Sequence, residues 1–241
     1  MQPVFLSAEW RKLIIANYEV DPSILLPYLP LNTELDLFNG KCLVSLVGFR
    51  FLNTRLRGFR IPFHRNFEEI NLRFYVRFKE NGIWKRGVTF IKEIVPKYAI
   101  SFVANNMYNE KYITLPTRHI WTSTNETQHV SYQWKHKGKW DSLEVFAESE
   151  ATDFNAGSEE EFITEHYWGF TQVNKHRTSA YQVDHPKWKM YNVNSYTIDT
   201  RFSSLYGKDF EYLNNAKPHS VMLAEGSPIN VYVKNKINIP V

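Results

Sequence analysis

The sequence lacks most of the features that tie a chain to one chemistry by motif alone. A single cysteine, Cys42, excludes an internal disulfide and is compatible with a reducing compartment. It opens an apolar run, which makes it a small buried hydrophobe rather than a reactive thiol. No apolar run nears the roughly 18 residues of a membrane-spanning helix, and no charged-then-apolar leader is present. Cytoplasm is therefore the expected location, without a membrane partner. HExxH, CxxC, GxGxxG, GxxxxGK[ST] and nucleophile-elbow patterns are all missing, and the eight histidines sit in separate segments. No metal and no cofactor are expected. Charge of one sign is also scarce: 29 basic residues face 25 acidic ones, interspersed, for a net +4. That balance gives no reason to expect a nucleic-acid partner.

What the chain has is aromatic and strand-forming material. Its 17 Phe, 14 Tyr and 7 Trp, within a composition that is 43% hydrophobic, are ample for a core. Residues 69–78 alternate without a break: Ile70, Leu72, Phe74, Val76 and Phe78 on one face, Glu69, Asn71, Arg73, Tyr75 and Arg77 on the other. Period two over ten residues describes a strand between two different environments. The polar row either faces water, as one side of an antiparallel sheet often does, or lines a cavity in which its charges are paired.

The spacing of Trp10, Leu13, Ile14 and Tyr18 predicts a helix over 7–18, with Ser7 as N-cap. A short second helix follows, capped by Asp21, with Pro22 at its first position and Pro30 as its stop. Asn39-Gly40 and Asn81-Gly82 separate strand-like runs and predict hairpins. Further strands are expected at 98–104, 128–135, 140–147, 168–174, 177–183, 191–198, 219–224 and 229–234. Ser158 and Glu161 match a capping box, predicting a helix over 159–167, and 202–206 reads as a helical turn. No linker or repeat divides the chain, so 1–241 is taken as a single domain. The fold class is mainly β with peripheral helices (α+β), its antiparallel strands closed or nearly closed as a barrel or sandwich.

The polar residues His64, Arg65, Glu68, Glu69, Asn71 and Arg73 form the densest cluster. Glu69 and Arg73 lie four positions apart, roughly 13 Å along an extended strand, so they touch only if the strand is bulged or the side chains turn together. An arginine there suits a bound carboxylate because its forked donors match two oxygens. The competing reading is a structural charge network.

The segments WRKLIIANYEVDPSILLPYLPLNTELDLFNGKCLVSLVGFRF, IPFHRNFEEINLRFYV, HPKW and VMLAEGSPINVYV resemble the YqjF-like family DUF2071. That family is placed in the acetoacetate decarboxylase-like superfamily. The resemblance implies an antiparallel β-barrel or cone with an internal cavity. It also offers a template, in which a lysine forms a Schiff base with a β-keto acid while a second lysine lowers its pKa. The corresponding stretch here is Ala104 to Tyr112, ANNMYNEKY, without the template's proline or adjacent lysine pair. Lys111 is the weak catalytic candidate, flanked by Glu110 and Tyr112. The candidate ligand-binding residues are Glu69, Asn71, Arg73, His64, Tyr108 and His185, the last from the HPKW segment, where Pro186 and Trp188 also suit a purely structural turn. The expected ligand is a small acidic or carbonyl compound. The alternatives are an enzyme acting on a small keto acid by decarboxylation or acid-base chemistry, and an interaction protein whose cavity is collapsed.

Overall fold

The alternation over 69–78 does build a strand, Phe67–Glu80, and Asn81-Gly82 returns it into Ile83–Val95 with φ of 50° and 83° at the two turn residues. The structure, a computed structural model, describes residues 3–233 and 235–238, with side chains for all of these except 107, 108 and 235–238. In chain order the strands are β1 Val4–Glu19, β2 Thr33–Leu35, β3 Leu43–Leu56, β4 Phe59–Arg60, β5 Phe67–Glu80, β6 Ile83–Val95, β7 Tyr112–Thr114 and β8 Thr117–Ser123. They continue with β9 Thr127–His136, β10 Lys139–Thr152, β11 Trp168–Asn174, β12 Arg177–Asp184, β13 Met190–Asp199, β14 Ser220–Tyr232 and β15 Asn235–Asn238. Four short α-helices lie between them: α1 Pro22–Leu25, α2 Tyr98–Val103, α3 Glu159–Thr164 and α4 Phe202–Tyr206.

Two expected elements change type. Residues 7–18 belong to β1, not to a helix. Lys12 adopts φ 52°, and the β1–β3 register shifts between Arg11 and Ile14. This bulge breaks the strand's parity, so Trp10, Leu13, Ile14 and Tyr18 acquire spacings of three and four that imitate a helix. Residues 98–103 form α2 instead of a strand, with exposed Tyr98, Ala99 and Phe102 recurring at helical spacing and Ser101 buried against the Tyr98 carbonyl and Thr114. Asn39-Gly40 closes only the isolated Phe38–Lys41 bridge, because β2 pairs with β5. The two late strand candidates fuse into β14, bent at Gly226 (φ 79°).

One mixed, mostly antiparallel sheet results, in the order β15-β12-β11-β6-β5-β3-β1-β14-β13-β10-β9-β8. Only β6 pairs in parallel, with β7 and with β11. β12 also pairs with β14 through Val183↔Val231 and Asp184↔Asn230, so the path from β12 through β11, β6, β5, β3, β1 and β14 returns to β12. An apolar core occupies each face of β1, β3 and β5. Ile70, Leu72 and Phe74 join Ile14, Leu46, Tyr132, Trp134 and Leu143 on one side. Tyr75 and Phe67 join Ile15, Val47, Phe162, Trp188 and Met222 on the other. The first ten residues of β5 are consequently buried on both faces, so the polar row is enclosed from Glu69 to Tyr75, while Arg77 reaches the surface and pairs with Glu34.

Candidate functional site

Glu69, Asn71, Arg73 and Tyr75 follow one another on the face of β5 that looks into the second core, with exposures of 3%, 1%, 8% and 1%. Register brings Asn71 opposite Glu93 on β6, and Glu93 in turn opposite Tyr112 on β7. The Asn71 amide donates to Glu69 Oε1 at 3.0 Å and the Tyr112 hydroxyl to Glu69 Oε2 at 2.9 Å. On the adjoining β11, the Thr171 hydroxyl donates to Glu110 Oε1 at 2.7 Å. Three carboxyl groups are thereby drawn toward one interior.

Burial and mutual repulsion hold protons there. The Glu69 carboxyl is pushed up to about 7 by burial, helped by Glu110, while Asn71, Tyr112 and Arg73 pull the other way. Glu93 is raised well above the ordinary carboxylate range by burial and by the charges of Glu110 and Glu69. The preceding residue shows how strongly the face decides. Glu68 points to the opposite side, where burial is outweighed by hydrogen bonds from His119 (2.5 Å) and Thr117 (2.7 Å), and its pKa falls to about 2.

Arg73 is hydrogen-bonded to the Tyr75 hydroxyl rather than to a carboxylate. Among the described residues its guanidinium makes no ion pair; it lies over the Tyr75 ring, 5.8 Å from the centroid, and its Nε has no hydrogen bond. Asn71 Oδ1, Glu93 Oε2 and His166 Nδ1 are buried and unsatisfied as well. His166 packs against Tyr75 (4.8 Å between centroids) and bonds Asp36 through Nε2 at 3.1 Å, while Arg86 holds the same Asp36 oxygen at 2.6 Å. Burial pushes His166 down to about 4 against the pull of Asp36. The neutral ring therefore spends its proton on Asp36 and leaves Nδ1 as a bare acceptor. The Tyr75 hydroxyl is fixed from behind: Ser45 Oγ gives its hydrogen to Asn17 Oδ1 (2.5 Å), so Tyr75 donates to Ser45 (2.7 Å). A guanidinium without an ion pair, unsatisfied acceptors and proton-holding carboxyls thus share the buried side of β5 and β6.

The family model for the uncharacterized conserved proteins called DUF2071 matches residues 7–228. The chain belongs to this family. YqjF of Bacillus subtilis (strain 168), itself described as uncharacterized, is 41% identical over 71 residues, a segment that spans 29% of either chain. Among solved structures, acetoacetate decarboxylase from Legionella pneumophila superposes with a TM-score of 0.66 at 13% identity, over 97% of this chain and 87% of that one. An acetoacetate decarboxylase-like enzyme from Sphingomonas wittichii RW1 gives 0.66 at 11% identity, over 98% and 94%. The enduracididine biosynthesis enzyme MppR, complexed with pyruvate, gives 0.66 at 11% identity, over 98% and 91%. This member of DUF2071 thus has the acetoacetate decarboxylase-like fold.

Of the residues expected from sequence, Glu69 and Asn71 are hydrogen-bonded to each other, and Arg73 follows them on the same buried face of β5. His185 is buried, stacked on Trp188 at 4.4 Å, and lines an open groove of about 490 Å³ with Ser7, Glu9, Asn53 and Asp184. Its pKa is lowered by burial and, among lesser causes, by the charge of Arg73. His64 stands elsewhere, in an exposed hairpin, with Nδ1 2.7 Å from the Pro62 carbonyl oxygen. The side chain of Tyr108 lies outside the described residues. Lys111 is exposed, with Nζ 5.6 Å from the centre of the Tyr28 ring; partial burial of the amine lowers its pKa and Glu110 and Glu93 raise it.

Sequence reasoning did not mark Glu93, Thr171 or His166 as site residues and named Tyr112 only as the neighbour of Lys111. Glu93 did leave a trace, as an acid at the centre of the alternating row Ile91, Glu93, Val95. The other three are brought in by β7, β11 and the end of α3, and no local pattern announces them. No group of three His, Cys, Asp or Glu suited to a metal ion occurs among the described residues, and no helix there is long and apolar enough to cross a membrane.

Proposed function

We propose that this protein binds a small carboxylic acid, one carrying a carbonyl or hydroxyl group, within a cavity enclosed by its ring of strands. The observation that carries this reading is Arg73, a buried guanidinium with no carboxylate paired to it among the described residues. A buried charge is costly unless it is paired. Glu69 and Glu93 compensate it poorly while they hold protons, so a ligand carboxylate supplies the missing partner in bidentate geometry. Protonated Glu93 and the Asn71 oxygen, one step along the same face, then meet the ligand's second polar group. The pyruvate complex of a protein with this fold is in keeping with such a ligand.

Acid-base catalysis on the same ligand is the second reading. It is favoured by Glu69, whose pKa near 7 suits proton transfer at neutral pH. Imine chemistry at Lys111 draws no comparable support, since its amine lies over Tyr28 and is flanked by Glu110.

Calorimetric titration with a panel of two- to five-carbon oxo and hydroxy acids tests the binding reading. At least one acid is expected to bind the wild type, and Arg73→Met is expected to weaken it roughly 10- to 100-fold, as for loss of a charge-assisted pair. An acid that binds both proteins equally, or a panel in which none binds, would overturn it. Turnover of a bound acid, lost in Glu69→Gln, would select the enzyme.

A further inference from the structure

We propose that the hairpin tip at residues 54–65 is a docking element for an anionic lipid surface, a role separate from ligand binding in the interior. β3 stays paired with β1 to Leu56, beyond Phe51 where its pairing with β5 ends, then turns at Arg57-Gly58 and returns as β4; residues 57–63 are all exposed. At the tip Phe59 is 75% exposed, Phe63 87% and Ile61 40%. Four arginines surround them, Arg55, Arg57, Arg60 and Arg65, and no acidic residue occurs from 54 to 67.

Three features of this hairpin are unfavourable for the chain alone. Arg55 and Arg60 are direct cross-strand partners, a like-charge pairing that destabilises a hairpin. None of the four arginines forms an ion pair among the described residues, although acids are plentiful elsewhere on the surface. Phe63 holds φ 62°, a conformation that is strained for an aromatic residue. One environment relieves the first two together: an interface that takes up apolar side chains and presents negative charge beside them.

The shape chooses the partner. A protein complex of ordinary stability covers about 800 Å² on each side, far more than a seven-residue hairpin tip offers. A single-stranded nucleic acid needs a groove that tracks its backbone and a platform on which bases stack. A bilayer needs neither, because Phe59 and Phe63 enter between headgroups while the arginine stems reach back to phosphate. The lack of a membrane-spanning helix has no bearing on docking of this kind.

Flotation of the full chain with vesicles of phosphatidylcholine containing 30% phosphatidylserine, against phosphatidylcholine alone, is the test. The wild type is expected to float with the anionic vesicles only, and less as salt is raised. Replacing Arg55, Arg57 and Arg60 together with Gln is expected to weaken binding on the order of 100-fold, from about fivefold per arginine. Phe63→Gly supplies an internal control. Glycine accepts the left-handed backbone, so thermal stability is expected to hold or rise while vesicle binding falls. Equal binding to neutral vesicles, no binding to either kind, or Phe63→Gly that floats like the wild type would each overturn the proposal. Self-association that depends on Phe63 in the absence of vesicle binding would reassign the tip to a second copy of this chain.

Discussion

Burial sets the charge state of Glu69 against the weaker pull of Arg73 on the same strand face, and pH is the way to read it. In the folded protein Glu69 keeps its proton up to about 7, against 4.5 for the free side chain. Between those values the native state binds more protons than the unfolded chain, so this residue's contribution to stability falls as pH rises through the window and is constant above it. His166 acts in the opposite sense, because its pKa of about 4 lies below the ordinary 6.5, and stability is lost as pH drops between them. A comparison of proteins separates the two. Urea unfolding at pH 5 and pH 8 is expected to show Glu69→Gln losing less stability across the interval than the wild type, by roughly 2 to 3 kcal/mol. Identical losses would mean that Glu69 is ionised in the native state. The same titration reaches function: acid binding at Arg73 is expected to weaken as pH rises through about 7, since an ionised Glu69 competes for the guanidinium. A flat affinity from pH 5.5 to 8.5 would disconnect the two residues.

At the scale of elements, the bulge in β1 and the bend in β14 are parts of one joint. Arg11 pairs with Gly226, and Lys12, turned out by its positive φ, reaches Glu225 at 2.8 Å. A Cβ at Gly226 would sit 2.0 Å from the Trp10 carbonyl oxygen, on a backbone at φ 79°. Gly226→Ala is therefore expected to cost 3 kcal/mol or more by urea unfolding, roughly the sum of a steric and a left-handed penalty; a loss below about 1 kcal/mol would show that the joint yields. This joint also explains what the sequence hid. The strand in β5 and its tight turn at Asn81-Gly82 were readable because period two runs unbroken over 69–78 and the Asn-Gly pair follows closely. β1 was not readable, because one residue out of step converts alternation into apparent helical spacing. α2 was misread in the reverse direction: six residues are too few for either period to declare itself. The site divides along the same line. Glu69, Asn71 and Arg73 could be picked out as a row, whereas their enclosure depends on Glu93, Tyr112 and Thr171, which β6, β7 and β11 bring from 20 to 100 residues away.

For the molecule as a whole, strands inside the sheet cannot leave alone. β1 is held between β3 and β14, and β12 between β11 and β14. Amides of Leu13 to Asn17 and of Ser220 to Ala224, paired with each other in register, are expected to exchange hydrogen only through global unfolding and to show the same free energy of opening. Exchange of the β14 amides at a markedly lower free energy would show that the ring opens there first. The pairing also has a bearing on biosynthesis. The edge of β1 that receives β14 emerges from the ribosome roughly 200 residues before its partner, about 10 to 40 s at ordinary rates of translation. Throughout that interval an apolar strand with unpaired backbone groups is available to any other nascent chain nearby, so the yield of native protein in a cell depends on what shields this edge until β14 has been made.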